Sequence, residues 1–137
     1  MDTQRYLTNT LSKRKELFKS REEGKVKLFT CGPSTYGRAH VGNYRTFLYE
    51  DVLQRYMEYL GYQVERMINF TDVEDKAIAE AQDQGVSLKE LTGPVEDRFF
   101  KEADLLSIKL PGYIPRASTS VDQAVQLIKI LLDKGYA

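Results

Sequence analysis

An α/β fold built on a parallel βαβ unit is what this sequence predicts, and three observations carry the prediction. Two short runs rich in β-formers, Lys25 to Thr30 and Gln63 to Ile68, flank a helix-patterned run from about Asn43 to Leu60. A glycine-containing stretch from Cys31 to Asn43 separates the first strand from that helix. Such strand-to-helix turns are where α/β proteins place phosphates and reactive groups.

Each element follows from its local pattern. Residues 1–24 are polar and weakly patterned, with Leu7, Leu11, Leu17 and Phe18 as scattered anchors, and read as an extended N-terminal arm lying on the domain formed by residues 25–137. The run Arg21-Glu22-Glu23-Gly24 reads as a turn. In the first helix, Leu48, Val52, Tyr56 and Leu60 recur every four residues, widened by Leu53 and Met57, and Gly61 stops it. The crossover to the second strand should be right-handed and the two strands parallel. Asn69 to Lys76 then leaves the second strand at the same sheet edge as the first loop, so both loops should open on one site.

A helix from about Glu74 to Gln84 ends at Gly85. Leu88 to Leu91 reads as a short helical turn, and Pro94 as the first turn of a separate helix reaching Ser107. Residues 111–115 read as loop. Ser120 and Gln123 have capping-box spacing at the start of a last helix, whose apolar residues include Val121, Val125, Ile128 and Leu132. Two strands with at least three amphipathic helices make half of a doubly wound sheet, so the chain reads as the first portion of something larger.

Composition narrows the class. The chain has 137 residues, 42% hydrophobic and 29% charged, the balance of a soluble globular domain. Formal net charge is zero, so no global field draws it to nucleic acid or anionic lipid. A local basic cluster, Lys13, Arg14, Lys15, Lys19 and Arg21, is diluted by Glu16, Glu22 and Glu23 and reads as a solvated surface or an RNA contact. The single cysteine excludes an intrachain disulfide, no secretory leader is apparent, and no apolar run approaches membrane-spanning length. These observations predict a cytoplasmic protein without a membrane partner.

The chemistry-bearing residues carry alternative readings. Cys31, directly after a strand, is a thiolate ligand, a nucleophile or a small buried residue. His40, Gly42 and Asn43 stand at a helix N-terminus, where unpaired N–H groups and the helix dipole attract phosphate. The alternative is that Asn43 caps the helix and His40 is a surface residue. Asp72, Glu74 and Asp75 are either a divalent-cation cluster or acids complementing a helix N-terminus, without regular ligand spacing.

Cys31-Gly32-Pro33-Ser34-Thr35-Tyr36, followed by His40-Val41-Gly42-Asn43, resembles the N-terminal signature of cysteinyl-tRNA synthetases. Asn69-Phe70-Thr71-Asp72-Val73-Glu74-Asp75-Lys76 resembles that family's second segment, and Leu7 to Lys15, Gly61-Tyr62, Pro115-Arg116-Ala117 and Asp133 to Ala137 extend the likeness nearly end to end. The cysteine-adenylating ligase of mycothiol synthesis is a weaker match. The resemblance implies the first half of a Rossmann-like class I synthetase domain with a HIGH-type nucleotide motif. It also implies activation of L-cysteine by ATP with Mg²⁺, followed by transfer to tRNA(Cys). Cys31 would be a zinc ligand through which the substrate thiol is bound, with Gly32 and Thr71 lining the amino-acid pocket. Pro33, Tyr36, His40, Gly42 and Asn43 would bind ATP, His40 and Asn43 acting on the phosphates as charge develops.

Departures accompany the likeness. Asn43 occupies the fourth position of His-x-Gly-His, Gly37 stands where aspartate is common, and Ser34-Thr35 replaces Thr-Val. The other zinc ligands, the Lys-Met-Ser-Lys-Ser loop and the anticodon domain would all lie beyond Ala137. The sequence therefore predicts a fragment inactive on its own. The alternative is a catalytically incomplete paralogue serving as a binding or assembly module, self-associating through its open sheet edge or last helix.

Overall fold

The computed structural model describes residues 5–137, and the first four residues of the expected N-terminal arm lie outside the described residues. Strands β1 (Tyr6–Asn9) and β2 (Arg14–Leu17) lead to β3 (Lys25–Thr30), α1 (Val41–Tyr59) and β4 (Gln63–Ile68). Helices α2 (Asp75–Gln84), α3 (Leu88–Leu105) and α4 (Val121–Asp133) follow, with a 3₁₀ turn at Ser118–Ser120 before α4. β3 and β4 pair in parallel, Lys25 opposite Gln63 and Thr30 opposite Ile68, as the βαβ reading requires. The direction of β4 continues past its end, where Phe70 bridges Arg116 in parallel within the expected loop region.

The N-terminal arm departs from expectation. It is an antiparallel hairpin pairing Tyr6 with Leu17 and Asn9 with Arg14, in a sheet of its own. Strands of four residues, the second largely charged, carry no legible alternation. Phe18 packs edge-on against Tyr62 at 6.1 Å, and the Arg5 guanidinium lies 5.6 Å from the same ring. The hairpin is thereby fastened where β4 begins.

The core is aromatic. Phe47, Phe70, Phe99 and Tyr44 meet largely edge to face, with Ile68, Ile108, Ile114 and Ala103 closing the cluster. Edge-to-face contacts add about 0.5–1.5 kcal/mol each beyond the area they bury.

The buried face of α1 keeps only part of the expected stripe. Met57 is buried and Leu48 packs against the core, but Val52 and Tyr56 are exposed, and Tyr44, Phe47, Asp51 and Gln54 face inward instead. A four-residue repeat drifts around a helix of 3.6 residues per turn. Polar bonds settle which face turns in: Asp51 accepts the Lys109 backbone N–H at 2.8 Å, and the Arg55 guanidinium bonds both Asp51 and the Ser107 carbonyl. Arg66, buried beneath them, pairs with Glu50 at 3.0 Å and donates to the Lys109 carbonyl.

Two boundary expectations also change. α3 is one helix, with Pro94 inside it, not a turn followed by a second helix. The Ser87–Glu90 capping box starts it, and buried Thr92, Glu96, Phe99 and Ala103 hold it across the proline. That packing outweighs an interior proline's cost of about 3 kcal/mol. The expected Ser120–Gln123 box does not form. Ser120 is not in the extended conformation an N-cap needs, and its hydroxyl donates instead to the Arg116 carbonyl at 3.1 Å. α4 has no buried residue, and Val121, Leu127, Ile128, Ile130 and Leu132 are about half exposed.

Candidate functional site

Parallel pairing of β3 and β4 sends both following loops off one sheet edge, where they run side by side. Ser34 bridges Thr71, the Thr71 N–H donates to the Pro33 carbonyl at 3.1 Å, and the Thr35 N–H donates to the Thr71 carbonyl at 3.3 Å. The Thr35 hydroxyl donates to that same carbonyl, and Thr35 is fully buried. Beside this seam the two backbones nearly touch. A Cβ on Gly32 would lie 1.8 Å from the Asn69 carbonyl oxygen, so only glycine fits there.

α1 begins at a reciprocal cap formed by the two residues the sequence singled out. His40 is the N-cap, and its Nδ1 accepts the Gly42 N–H at 3.0 Å. Asn43 Oδ1 accepts the His40 N–H at 3.0 Å. The capping alternative and the ligand alternative therefore coexist on the same side chains. With Nδ1 accepting, neutral imidazole carries its proton on Nε2. The Asn43 amide keeps Nδ2 as a donor. Two outward donors thus stand fixed at a helix N-terminus, where the dipole favours negative charge.

An open cleft of about 380 Å³ is lined by Cys31, Gly32, Pro33, Tyr36, His40 and Asn43 among others. Gly42 and Thr71 lie outside that lining. Gly42 supports the imidazole, and Thr71 forms the seam itself, its hydroxyl accepting from the Asn69 amide at 3.4 Å. A larger groove of about 860 Å³ runs along α1 and the end of α3, lined by Val41, Leu48, Tyr49, Val52, Leu105 and Leu106, and shares Arg38 to His40 with the cleft.

Three side chains outside the sequence-derived set brace the loop. Arg38 bonds Glu102 on α3, Nε at 3.0 Å and Nη2 at 2.8 Å to the same carboxylate oxygen. The Tyr44 hydroxyl donates to the other oxygen at 2.7 Å. Burial first, and then the Glu102 carboxylate, push the Tyr44 hydroxyl's pKa well above the usual phenol range. The hydrogen bond from Tyr44 is the largest cause holding Glu102 below the usual carboxylate range. Arg38 and Glu102 lie 64 residues apart, so no local signal could pair them. Lys76, last residue of the second quoted segment, sits 5.4 Å from the Tyr36 ring centroid and ties the two loops by a cation–π contact.

The described residues do not by themselves fit a metal. Cys31 is exposed, and its thiol reaches only its neighbour's carbonyl, Gly32, at 3.6 Å. Among the described residues no group of three or more His, Cys, Asp or Glu could hold an ion. Asp72 is taken by Ser118: its Oδ1 accepts the backbone N–H at 2.9 Å, and its Oδ2 accepts the hydroxyl. Asp72 is thus a structural clasp, Asp75 lies in the first turn of α2, and one buried oxygen of Glu74 has no hydrogen-bond partner among the described residues. No helix among the described residues is long and apolar enough to cross a membrane.

Residues 17–137 match the family described as the tRNA synthetases class I (C) catalytic domain. The chain is 44% identical to the cysteine–tRNA ligase of Methanosarcina mazei over 129 residues, which is 94% of this chain and 27% of that protein. It is 44% identical to the cysteine–tRNA ligase of Caldicellulosiruptor saccharolyticus, over 96% of this chain and 28% of that protein. The Clostridioides difficile ligase is 43% identical over 94% of this chain and 28% of that protein. The chain therefore spans little more than a quarter of these relatives, and it belongs to the class I (C) family of tRNA synthetase catalytic domains.

Proposed function

We propose that this chain forms one wall of the active site of an enzyme that joins cysteine to tRNA(Cys). In the first step the cysteine carboxylate attacks the α-phosphate of ATP in line, a P–O bond forms, and pyrophosphate leaves. In the second, a terminal ribose hydroxyl of the tRNA takes the cysteinyl group and AMP leaves. The observation that carries this reading is the reciprocal His40–Asn43 cap, which leaves Nε2–H and Nδ2–H₂ as fixed donors beside the cleft. Donors held in place before the reaction need no reorganisation as charge develops on the phosphates, and losing one typically costs about 10²–10³ in rate. Gly42 acts by clearing room for the imidazole, since its own N–H is engaged by His40. Pro33 and Tyr36 form the nucleotide-facing wall, with Mg²⁺ arriving on ATP.

On the amino-acid side, Gly32 and Thr71 are the proposed neighbours of cysteine. The family resemblance implies a zinc ion at Cys31, but one exposed thiol does not hold it, so the residues here carry only binding and orientation. A Rossmann-like completion of the two-stranded sheet belongs to the same proposal. Alone, the chain is expected to be inactive.

The test is a chimera in which residues 17–137 replace the matching segment of the Methanosarcina mazei ligase. Cysteine-dependent ATP–pyrophosphate exchange is expected, with His40→Ala lowering it by about 10²–10³. A folded chimera without exchange, or exchange indifferent to His40→Ala, overturns the reading. Exchange by the purified 137-residue chain above a His40→Ala control overturns the inactivity. A second reading, a binding or assembly module, is favoured by α4, which has no buried residue. Light scattering tests it, and a monomer at all concentrations removes self-association.

A further inference from the structure

We propose that the β1–β2 hairpin is an RNA-binding surface that grips the phosphate backbone. The inference takes the kind of RNA from the reading above but does not depend on the nucleotide cleft. The chain is neutral only as a sum. Residues 1–27 hold eight Lys and Arg against four Asp and Glu, a net +4, while residues 28–137 hold twelve against sixteen, a net −4. Lys13, Arg14 and Lys15 lie on the hairpin, both of whose strands are exposed along their length, and Lys19 and Arg21 follow directly after it.

The cations there are unspent. Lys13, Arg14, Lys15, Lys19 and Arg21 are all exposed, and none has an ion-pair partner among the described residues. Glu16, the one acid within the hairpin strands, is turned into the hairpin's own loop, and Glu22 is paired with Lys25 and Lys27. Glu16 accepts the Ser12 hydroxyl and the Asn9 amide, the latter at 3.0 Å, and these bonds, Ser12's first, hold its carboxyl below the usual range. Asn9 Oδ1 also accepts the Leu11 N–H at 3.0 Å, and Lys13 adopts a left-handed φ of 57°. The loop is therefore pinned at both ends. Lys13, Arg14 and Lys15 are presented at fixed spacing, with Arg14 and Lys15 on opposite faces of the ribbon.

The hairpin is also separate from the reaction site. Phe18 and Arg5 anchor it on Tyr62 at the N-terminal end of β4, whereas the cleft opens at the C-terminal ends of β3 and β4. Six residues of strand lie between, about 20 Å at roughly 3.3 Å per residue. An RNA engaged at the cleft would have to extend past the sheet to reach the hairpin. Phosphate contacts of this kind fix register and orientation without reading sequence. A lipid surface fits less well. The hairpin's apolar residues are divided between faces, Leu7 on one and Leu17 on the other, which leaves no single apolar side to bury.

The test is fluorescence anisotropy of the full chain with labelled tRNA(Cys) and an unrelated tRNA, across roughly 50–200 mM salt. Lys13→Asn, Arg14→Gln and Lys15→Gln are combined in one variant, asparagine being chosen because it tolerates the left-handed φ. A second variant carries Lys19→Gln and Arg21→Gln, and circular dichroism checks that both fold. Both RNAs should bind wild type alike. The triple variant should lose at least tenfold in affinity for each, and the slope of log K against log salt should flatten by about 2 to 3. Equal affinity and slope for wild type and both variants overturns the proposal. So does absence of RNA binding by wild type, or charge-dependent binding to phosphatidylserine vesicles alone. Pyrophosphate exchange by the chimera reports adenylation without RNA, so either idea can fail while the other stands.

Discussion

His40 Nδ1 accepts the Gly42 backbone N–H at 3.0 Å, and a Cβ on Gly42 would stand 2.8 Å from His40 Cε1. The glycine is thus fitted to the imidazole and not to the helix, where alanine is intrinsically preferred by about 1 kcal/mol. Gly42→Ala should therefore change unfolding free energy by no more than about 1 kcal/mol while displacing the ring. The His40 imidazole resonances should move, and pyrophosphate exchange by the chimera should fall as it does in His40→Ala. An unchanged ring and unchanged exchange would refute the fitted role.

Gly32 makes the opposite prediction. Its missing Cβ would sit 1.8 Å from the Asn69 oxygen and 2.8 Å from the Asn69 carbonyl carbon, both backbone atoms. No side-chain rotation relieves that clash, so Gly32→Ala must separate the two loops and strain the Ser34–Thr71 bridge. The expected cost is about 1–3 kcal/mol, as for overpacking, read by urea denaturation. A wild-type midpoint would contradict the close approach.

What the sequence made legible, and what it did not, follows from range. The βαβ unit, the loop after β3 and the place of His40 and Asn43 at the start of α1 are local patterns, and they are readable. The meeting of Gly32 with Asn69, of Arg38 with Glu102 and of Asp51 with Lys109 depends on contacts across the fold, which one sequence does not display. The inward face of α1 is legible only at Leu48 and Met57, because two buried polar residues, Asp51 and Gln54, lie where a hydrophobicity pattern expects solvent. Pro94 was misread because buried neighbours override a local breaker.

Asp72 shows the same principle at the junction before α4. It is buried, and its two oxygens take the Ser118 N–H and hydroxyl. Asp72→Ala leaves both donors unpaired at a cost of about 1–3 kcal/mol. Amide exchange should accelerate over residues 116–121 before it does so in β3 or β4. Asp72→Asn keeps one acceptor and should recover part of the loss. A uniform change along the chain would argue against a local clasp.

Tyr44 supplies a pH signature for the brace between α1 and α3. Burial and the Glu102 carboxylate raise its hydroxyl pKa above the ordinary value of about 10. The unfolded chain releases this proton first as pH rises, so the folded state is the better proton binder above that value. The stability tied to Tyr44 is thus complete below about pH 10 and is lost progressively above it. Tyr44→Phe removes the titration. At neutral pH the variant should be about 1 kcal/mol less stable for want of one hydrogen bond, Glu102 keeping Arg38. Above pH 10 the gap between wild type and variant should narrow, because wild type alone loses the Tyr44 contribution. Chemical denaturation at pH 7, 9, 10 and 11 measures that gap, and a gap constant across the series would show that Tyr44 is not held neutral by its surroundings.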